Sequence, residues 1–228
     1  MNNFIKIKNL SKKYEKNKTI KVLNDITFNF ESGKIYSIVG PSGSGKSTLL
    51  NLLSLIDTPT SGSIEINNNK IKFENIVKND AFRAKKISII YQDKNLLSDF
   101  TAIENVYLPN LLLSNDKNSS INIAKKIIKN VGLSSRLNHY PSELSGGENQ
   151  RIAIARALIN NPEIILADEP TGSLDFENAK QIFKLLLNLK NKNRIIIYAT
   201  HNRYFANMAD CKIKMIDGKM KITNDRFN

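Results

Sequence analysis

The feature that most constrains this chain is a glycine-rich segment at residues 40–48, which reads Gly-Pro-Ser-Gly-Ser-Gly-Lys-Ser-Thr. An apolar run at 35–39 precedes it and a leucine-rich segment follows it, so the pattern predicts a turn between a buried strand and a helix. The three glycines lack a Cβ and allow successive N–H groups to point inward, where the positive end of the helix dipole also attracts anions. The segment therefore predicts a phosphate-binding loop in an α/β fold.

The side chains of this loop provide further ligands for a nucleotide. Lys46 has the length to reach the β and γ phosphates, and the Ser47 hydroxyl suits Mg²⁺, a hard cation that prefers oxygen. A glycine-rich surface turn that carries a lysine is the alternative, which the complete pattern and its strand-to-helix context disfavour. The residues predicted to contact nucleotide are Gly40, Pro41, Ser42, Gly43, Ser44, Gly45, Lys46, Ser47 and Thr48.

Length and composition indicate one large domain, residues 1–228, that buries a substantial core. No apolar run reaches the roughly 18 residues that a membrane span requires, and the N-terminus does not resemble a signal peptide, so we expect a cytoplasmic protein. The net charge is +13, but the lysines are scattered and do not alternate with aromatic residues. We therefore expect a solvated basic surface and no nucleic-acid partner.

Two kinds of strand are predicted along the chain. Residues 4–10 and 22–30 alternate in part between apolar and polar side chains, as half-exposed antiparallel strands do. Continuously apolar runs indicate buried parallel strands instead, and they lie at residues 35–39, 164–167 and 195–199.

Helical spacing appears in the middle of the chain, at residues 103–113 and 121–131, with a polar loop at 114–118 between them. We interpret residues 93–150 as an approximate helical insertion. Near the end of the chain, Asp217-Gly218 is a preferred two-residue turn, which predicts a β-hairpin over residues 211–223.

A second cluster of chemistry lies where the apolar run at 164–167 ends in Asp168 and Glu169. Side chains alternate across a strand, so the two carboxylates can take different roles. Asp168 is placed to complete the coordination of Mg²⁺, and Glu169 is the candidate general base that polarises a water for attack on a γ phosphate. An acidic strand end without a catalytic role is the alternative.

A third feature is Leu-Ser-Gly-Gly-Glu at residues 144–148, directly before a strongly helical segment at 149–158. This pattern predicts a second helix N-terminus able to bind an anion. Serine before a helix with an acidic first turn is also ordinary capping, so the motif alone leaves both interpretations open.

Taken in chain order, these motifs resemble those of the ATP-binding cassette (ABC) ATPases over nearly the whole chain. Residues 40–48 resemble that family's Walker A loop, Asp168-Glu169 the end of its Walker B strand, and 144–148 its signature motif. The resemblance implies further nucleotide contacts from an aromatic residue, a Q-loop glutamine, the signature, a D-loop aspartate and a switch histidine, which are Tyr14, Gln92, Ser145, Gly146, Gly147, Glu148, Asp175 and His201.

The resemblance also implies a role for each of the isolated residues. His201 contacts the γ phosphate and orients the attacking water, Gln92 coordinates Mg²⁺ or water, and Tyr14 stacks on adenine. Without the family context, His201 and Gln92 are polar strand ends and Tyr14 is a surface aromatic. Glu148 stands where many members have glutamine, and Asn149 interrupts a Glu-Gln-Gln-Arg run, which puts the packing of the signature helix in question.

The fold that the resemblance implies is the P-loop NTPase fold of the ABC ATPases. It has a RecA-like core, an antiparallel β subdomain and an inserted α-helical subdomain. The implied cofactors are ATP and Mg²⁺, and the implied assembly is a homodimer that holds two ATP molecules between the Walker A loop of one subunit and the signature of the other.

The segment at 95–109 resembles one group within the family, the ATPases of lipoprotein-releasing complexes and of the related MacB- and FtsE-like exporters and cell-division complexes. The resemblance implies an ATPase that powers a separate integral-membrane permease from the cytoplasmic face of the inner membrane, most simply for lipoprotein release. The alternatives are another exporter or cell-division complex, and a soluble ABC ATPase that acts on nucleic acid or the ribosome.

Overall fold

The computed structural model describes residues 4–15 and 19–223, which form an α/β fold with two sheets. The strands are β1 (Phe4–Glu15), β2 (Thr19–Glu31), β3 (Ile35–Val39), β4 (Ser61–Ile66), β5 (Asn69–Lys70), β6 (Ile87–Tyr91), β7 (Ile164–Asp168), β8 (Ile195–Ala199), β9 (Cys211–Ile216) and β10 (Lys219–Ile222). The helices are α1 (Lys46–Leu53), α2 (Ile76–Lys86), α3 (Ala102–Ser114), α4 (Lys117–Asn130), α5 (Gly146–Leu158), α6 (Phe176–Asn188) and α7 (Arg203–Ala206).

The larger sheet has six strands in the order β10-β9-β3-β8-β7-β6, and all neighbours are parallel except β10 and β9. The predicted buried strands β3, β7 and β8 lie side by side in its centre, which confirms their assignment. Parallel strands end at the same edge of a sheet. The loops that follow β3, β6, β7 and β8 therefore meet at one edge, and these loops carry most of the predicted site.

The smaller sheet is antiparallel, with four strands in the order β2-β1-β4-β5. The predicted strands at 4–10 and 22–30 are confirmed as an antiparallel pair, although both strands are longer than the alternation indicated. The apolar members of β1 and β2 face inward and join α1 and the larger sheet in one core cluster. The sequence did not predict β4 and β5, because both strands are short and neither shows a long run of alternating apolar and polar residues.

The helices predicted at 103–113 and 121–131 are α3 and α4, which pack with α5 around a separate apolar cluster. Helix α4 begins at Lys117 rather than 121, because the Asp116 side chain caps it by accepting the N–H of Ser119 at 2.9 Å. The predicted loop at 114–118 is therefore too long. The boundary of the helical insertion at 93–150 stays a prediction, and the cluster itself extends to Ile159.

The hairpin of β9 and β10 is confirmed, with Asp217 and Gly218 at φ 47° and 71° as a tight two-residue turn requires. Helices α2 and α6 have no counterpart in the sequence predictions. In the part of the chain that the structure describes, no helix is both long and apolar enough to cross a membrane.

Candidate functional site

The glycine-rich loop joins β3 to α1 and packs tightly against two neighbouring strands. A Cβ on Gly40 would lie 2.2 Å from the carbonyl oxygen of Met215 in β9, and one on Gly45 would lie 2.8 Å from that of Val22 in β2. Gly45 also has φ 100°, a left-handed conformation that other residues rarely adopt. Both positions therefore require glycine, and the loop has a rigid backing.

The open side of this loop presents groups that suit an anion. The ammonium of Lys46 donates to the carbonyls of Gly40 at 2.9 Å and Pro41 at 3.0 Å, which folds the side chain across the loop. Gly45 is the N-cap of α1, and no side chain of the described chain caps this helix. The first N–H groups of a helix have no partner within it, so those of Lys46, Ser47 and Thr48 are available to a ligand. The loop therefore fits a phosphate.

Glu169 and His201 are brought together at the ends of β7 and β8. A carboxylate oxygen of Glu169, Oε2, lies 3.0 Å from Nδ1 of His201 and 3.3 Å from its backbone nitrogen. Glu169 adopts φ 47°, which is unusual for a residue with a long side chain, and its N–H donates to Ala199 at 3.1 Å. Strained backbone of this kind is common at functional sites, and here it turns the carboxylate toward His201.

Space for a water adjoins this pair. The lining of a cavity of about 170 Å³ includes Glu169 and His201 together with the aromatic rings of Phe176 and Phe205. A general base needs a water within hydrogen-bond reach, and the cavity exceeds the volume of one water molecule several times. The Glu169 side chain is only 17% exposed, whereas that of His201 is 72% exposed and can meet a ligand.

Asp168 is the last residue of β7 and Gln92 directly follows β6, and the two strands are parallel neighbours in which Tyr91 pairs with Asp168. The Gln92 side chain lies over Gly172, where a Cβ would come within 2.9 Å of its amide carbon. No three His, Cys, Asp or Glu side chains in the described ranges are grouped so as to hold a metal. Mg²⁺ usually takes only one or two protein oxygens and completes its shell with waters and phosphates. Ser47, Gln92 and Asp168 remain the predicted donors.

Tyr14 lies beside the end of the phosphate loop and is tied down by two residues that the sequence did not indicate. Its hydroxyl donates to Asp57 at 2.7 Å, and the Lys12 ammonium lies 4.7 Å from the ring centroid. Burial raises the pKa of Tyr14, Asp57 adds to the rise, and a hydrogen bond with Thr48 opposes it. With Lys12 on one face, a single face of the ring is left for a base.

The aspartate paired with Tyr14 is itself strongly tethered. Partial burial acts to raise the pKa of Asp57, but hydrogen bonds from Lys12 and Tyr14 hold that pKa below its usual value. Lys12 donates to Asp57 at 2.6 Å and to the Thr58 carbonyl at 2.7 Å. The resulting cluster fixes the orientation of Tyr14. Within this cluster only Lys12 lies close to Tyr14 in the sequence, two positions before it, and that spacing alone does not predict the contact.

The signature segment at 145–148 forms a complete capping box at the start of α5. The Ser145 hydroxyl accepts the N–H of Glu148 at 3.2 Å, and Oε2 of Glu148 accepts the N–H of Ser145 at 2.8 Å. Glu148 also accepts from Arg136 at 2.9 Å, and these hydrogen bonds, from Ser145 first, hold the pKa of Glu148 below its usual value. Glutamate thus satisfies the cap that glutamine could also form.

The other departure from the family pattern has a structural role as well. The side-chain amide of Asn149 donates to the carbonyls of Pro141 at 2.9 Å and Leu144 at 3.2 Å, which fixes the turn before α5. The first turn of α5 then packs on the segment after β7, where a Cβ on Gly146 would lie 3.5 Å from Leu174 and one on Gly147 would lie 3.2 Å from Asn178. Asn149 therefore takes part in the structure of the turn that leads into α5.

Asp175 is the N-cap of α6, and its carboxylate accepts the N–H of Asn178 at 3.0 Å. This bond, with one from the Asn178 side chain, keeps the pKa of Asp175 below its usual value. Capping accounts for Asp175 within one chain, and its predicted contact with nucleotide stays a prediction. Asn178 lies three positions after Asp175, the spacing of a capping pair, and this spacing is the sequence signal that could have predicted their contact.

Two groups of predicted site residues therefore emerge. One lies at the carboxyl edge of the large sheet and contains the phosphate loop, Gln92, Asp168, Glu169 and His201. The other is the signature segment with Asp175. Among the described residues, no hydrogen bond or ion pair joins residues 145–148 to the loop at 40–48.

Comparison with known proteins places these features in a family. Residues 23–172 match the family model described as ABC transporter. The chain is 43% identical over 224 residues to a lipoprotein-releasing system ATP-binding protein LolD of Rickettsia bellii, with 97% of this chain and 99% of the relative covered. It is 44% identical to the LolD of Rickettsia felis, with 97% and 100% covered.

A solved structure is similar over the same extent. The dimeric post-hydrolysis state of the ATP-binding cassette MJ0796, bound to ADP and Pi, aligns with a TM-score of 0.87 at 36% identity. The alignment covers 98% of this chain and 99% of that one. The α/β architecture predicted from the sequence is thus confirmed as the cassette fold.

Proposed function

The chain belongs to the ABC transporter family as one of its ATPases, and from that premise we propose that it powers a lipoprotein-releasing membrane complex. The observation that carries its chemistry is the contact of Glu169 Oε2 with His201 Nδ1, 3.0 Å apart at the same edge of the large sheet as the phosphate loop. These residues and the loop follow the neighbouring strands β7, β8 and β3. Strands in a sheet lie about 4.8 Å apart, so one triphosphate can span from the loop to the pair.

We assign each residue a role in hydrolysis from its surroundings. The loop amides and Lys46 bind the phosphates, and Tyr14 offers its free ring face to the base. Glu169 accepts a proton from the attacking water, while His201 holds the carboxylate in place and presents its exposed edge to the γ phosphate. Ser47, Gln92 and Asp168 provide the oxygen ligands for Mg²⁺, which neutralises phosphate charge when bound.

The second ATP contact comes in this proposal from another copy of the chain. Ser145, Gly146 and Gly147 form a helix N-terminus that has no bond to the phosphate loop of its own chain, and the related MJ0796 cassette is dimeric. A two-fold dimer that places this helix end on the partner's ATP makes closure depend on the γ phosphate. Hydrolysis then opens the dimer, and the chain converts nucleotide state into motion.

Glu169→Gln tests the catalytic assignment. We expect ATP binding to be retained and hydrolysis to fall at least about 100-fold, because a positioned general base contributes roughly 10² to 10⁴ in rate. An ATP-dependent dimer should then accumulate, as measured by light scattering during gel filtration. Glu177→Gln is the matched control, since Glu177 is an exposed carboxylate paired with Lys180 on α6. Near-normal turnover of Glu169→Gln would remove Glu169 from this role.

The partner we propose is an integral-membrane permease, with the ATPase bound peripherally at the cytoplasmic face of the inner membrane. Support comes from the two LolD relatives, whose names assign them to lipoprotein release. The exposed apolar side chains of Leu97 and Phe100, 48% and 38% accessible, lie in the segment at 95–109 that resembles the lipoprotein-releasing group, and we place the permease contact there. An exporter or cell-division complex of the MacB and FtsE type is the second candidate.

Co-expression with the permease encoded nearest to this gene tests the partner. We expect the pair to be recovered together from membranes, and Leu97→Ala with Phe100→Ala to lower that recovery and the release of lipoprotein. Leu112→Ala serves as the control, because Leu112 is 81% exposed near the end of α3 and lies outside the segment at 95–109. Nucleic-acid-stimulated turnover without membrane recovery would instead favour a soluble ABC ATPase.

A further inference from the structure

Two hydrogen bonds from one side chain of helix α5 reach the loop between β6 and α3, residues 92–101. Arg156 donates from Nη1 to the Asn95 carbonyl at 2.7 Å and from Nη2 to the Lys94 carbonyl at 2.8 Å. Asn95 adopts φ 48°, so the backbone turns at the point where the guanidinium binds it. The planar fork of arginine matches two neighbouring acceptors, which a lysine ammonium cannot do with the same geometry.

Arg156 has no carboxylate partner within the described ranges, although its side chain is half-buried. Its charge is compensated by the two loop carbonyls instead. Hydrogen bonds from a charged donor are stronger than neutral ones, and their loss leaves the acceptors unpaired. The arginine is therefore better explained as a fastener of the loop than as part of a surface ion pair.

The same loop is attached at its other side to the segment that follows β7. Lys94 donates from Nζ to the Ser173 hydroxyl at 2.7 Å, and the Gln92 side chain covers Gly172. Leu174 of this segment lies beside the first turn of α5, where a Cβ on Gly146 would be 3.5 Å from its side chain. The contacts form a closed ring from the N-terminus of α5 to residues 172–174, to the loop, and back to α5 through Arg156.

We propose that Arg156 is a positioning residue that makes α5 and the loop at 92–101 move as one body. A displacement of the helix end at Ser145 then reaches Gln92 and the exposed Phe100 without a separate conformational step. Packed elements joined by hydrogen bonds carry such coupling, provided that both ends bias the same arrangement. This inference rests on the proposed function, in which Ser145 meets ATP and Phe100 meets the permease.

Hydrogen exchange followed by mass spectrometry tests the proposal in the full-length Glu169→Gln protein, with and without ATP. The reporters are the amides of Leu97 and Phe100, which bond to Asn105 and to Leu97. We expect Arg156→Lys to speed exchange of the loop about tenfold without ATP, as loss of a charge-assisted bond allows. In Arg156→Lys we also expect ATP still to protect residues 145–150 from exchange, but no longer to protect the loop at 92–101.

Arg151→Lys is the matched control, because Arg151 lies on the same helix and also donates to a backbone carbonyl, that of Val131 at 3.1 Å. It should alter exchange near residue 131 and leave the ATP response of the loop intact. Lys94→Met separates the two attachments, since it removes the contact with Ser173 and keeps both Arg156 bonds. The proposal is overturned if Lys94→Met, rather than Arg156→Lys, uncouples the loop, or if Arg156→Lys exchanges like its parent.

Failure of the proposed function gives a different result. If the Glu169→Gln protein shows no ATP-dependent protection at either segment, the nucleotide assignment fails, while the comparison without ATP still tests the fastening. If Arg156→Lys does not fold, the proposal is tested in the Glu169→Gln protein alone, by measuring hydrogen exchange at increasing concentrations of ATP. Residues 92–101 and 145–150 must then gain protection with the same midpoint, and separate midpoints overturn the proposal.

Discussion

The phosphate loop and the signature segment are both helix N-termini, yet they are built in opposite ways. Helix α1 begins after Gly45, which has no side chain to cap it, and the Lys46 ammonium lies across the loop. Helix α5 begins after Ser145, and its capping box with Glu148 satisfies two donors internally. The first terminus is an open anion site with its own positive charge, whereas the second carries a carboxylate in its first turn.

The difference indicates how the two ends can share one ligand. An uncapped helix terminus with a lysine attracts an anion by itself, so we expect nucleotide to bind to a single chain. The capped terminus offers only the N–H groups of Gly146 and Gly147 and the proton of the Ser145 hydroxyl, with Glu148 partly neutralised by Arg136. Its attraction for an anion is weaker. We therefore expect it to join a phosphate that is already bound elsewhere.

The largest effect is expected from Lys46→Ala, which removes the only charge of the open terminus. ATP affinity should fall about 100-fold or more, because truncating one partner of a buried charged pair costs several kcal/mol. Isothermal titration with ATP measures the change. Lys184→Ala on the exposed face of α6 is the control. Unchanged affinity in Lys46→Ala would show that the open terminus is not the phosphate site.

An intermediate effect is expected from Ser145→Ala, which alters the capped terminus alone. The affinity of the single chain for ATP should stay within about twofold, while dimerisation of the Glu169→Gln form weakens roughly tenfold through loss of one hydrogen bond to a charged group. Loss of the cap should also lower the free energy of unfolding by about 1 kcal/mol. Ser142→Ala, at an exposed serine nearby, gives the baseline. A dimer of undiminished strength would place the second phosphate contact elsewhere.

The smallest effect is expected from Glu148→Gln, which keeps the capping geometry and removes the charge. Because folding lowers the pKa of Glu148, its charged form stabilises the protein above the unfolded pKa of about 4.3, and this contribution is lost as the pH falls through the folded value. The difference in melting temperature between wild type and Glu148→Gln should thus be present at pH 7 and shrink below about pH 4. A pH-independent difference would contradict this account.

Much of the fold could be predicted because its signals are local. A few consecutive residues are enough to predict each of the apolar strands β3, β7 and β8 and the turn at Asp217-Gly218. Strands β4 and β5 could not, since β4 pairs with distant residues of β1, such as Ile7 opposite Ile64, and the two-residue β5 pairs with β4. The start of α4 was placed too late because its first residues are polar and the cap at Asp116 sets the boundary.

The candidate site shows the same division. The spacing of the motifs placed Glu169 and His201 at the ends of apolar strands, and the structure joins them at 3.0 Å. The cluster around Tyr14 could not be predicted, because Asp57 is separated from it by 43 positions in the chain. Arg156 was likewise missed, since its partners are main-chain carbonyls that leave no mark in the sequence.

The tight backing of the phosphate loop bears on how the protein matures. Gly40 lies against Met215, and the Gly218 amide donates to the Ser44 carbonyl at 3.2 Å, so the rear wall of the loop comes from the β9–β10 hairpin. A nascent polypeptide halted before residue 211 lacks that wall, although its Walker A segment left the ribosome long before. The backing of the phosphate loop is thus formed by residues that are synthesised after the loop itself.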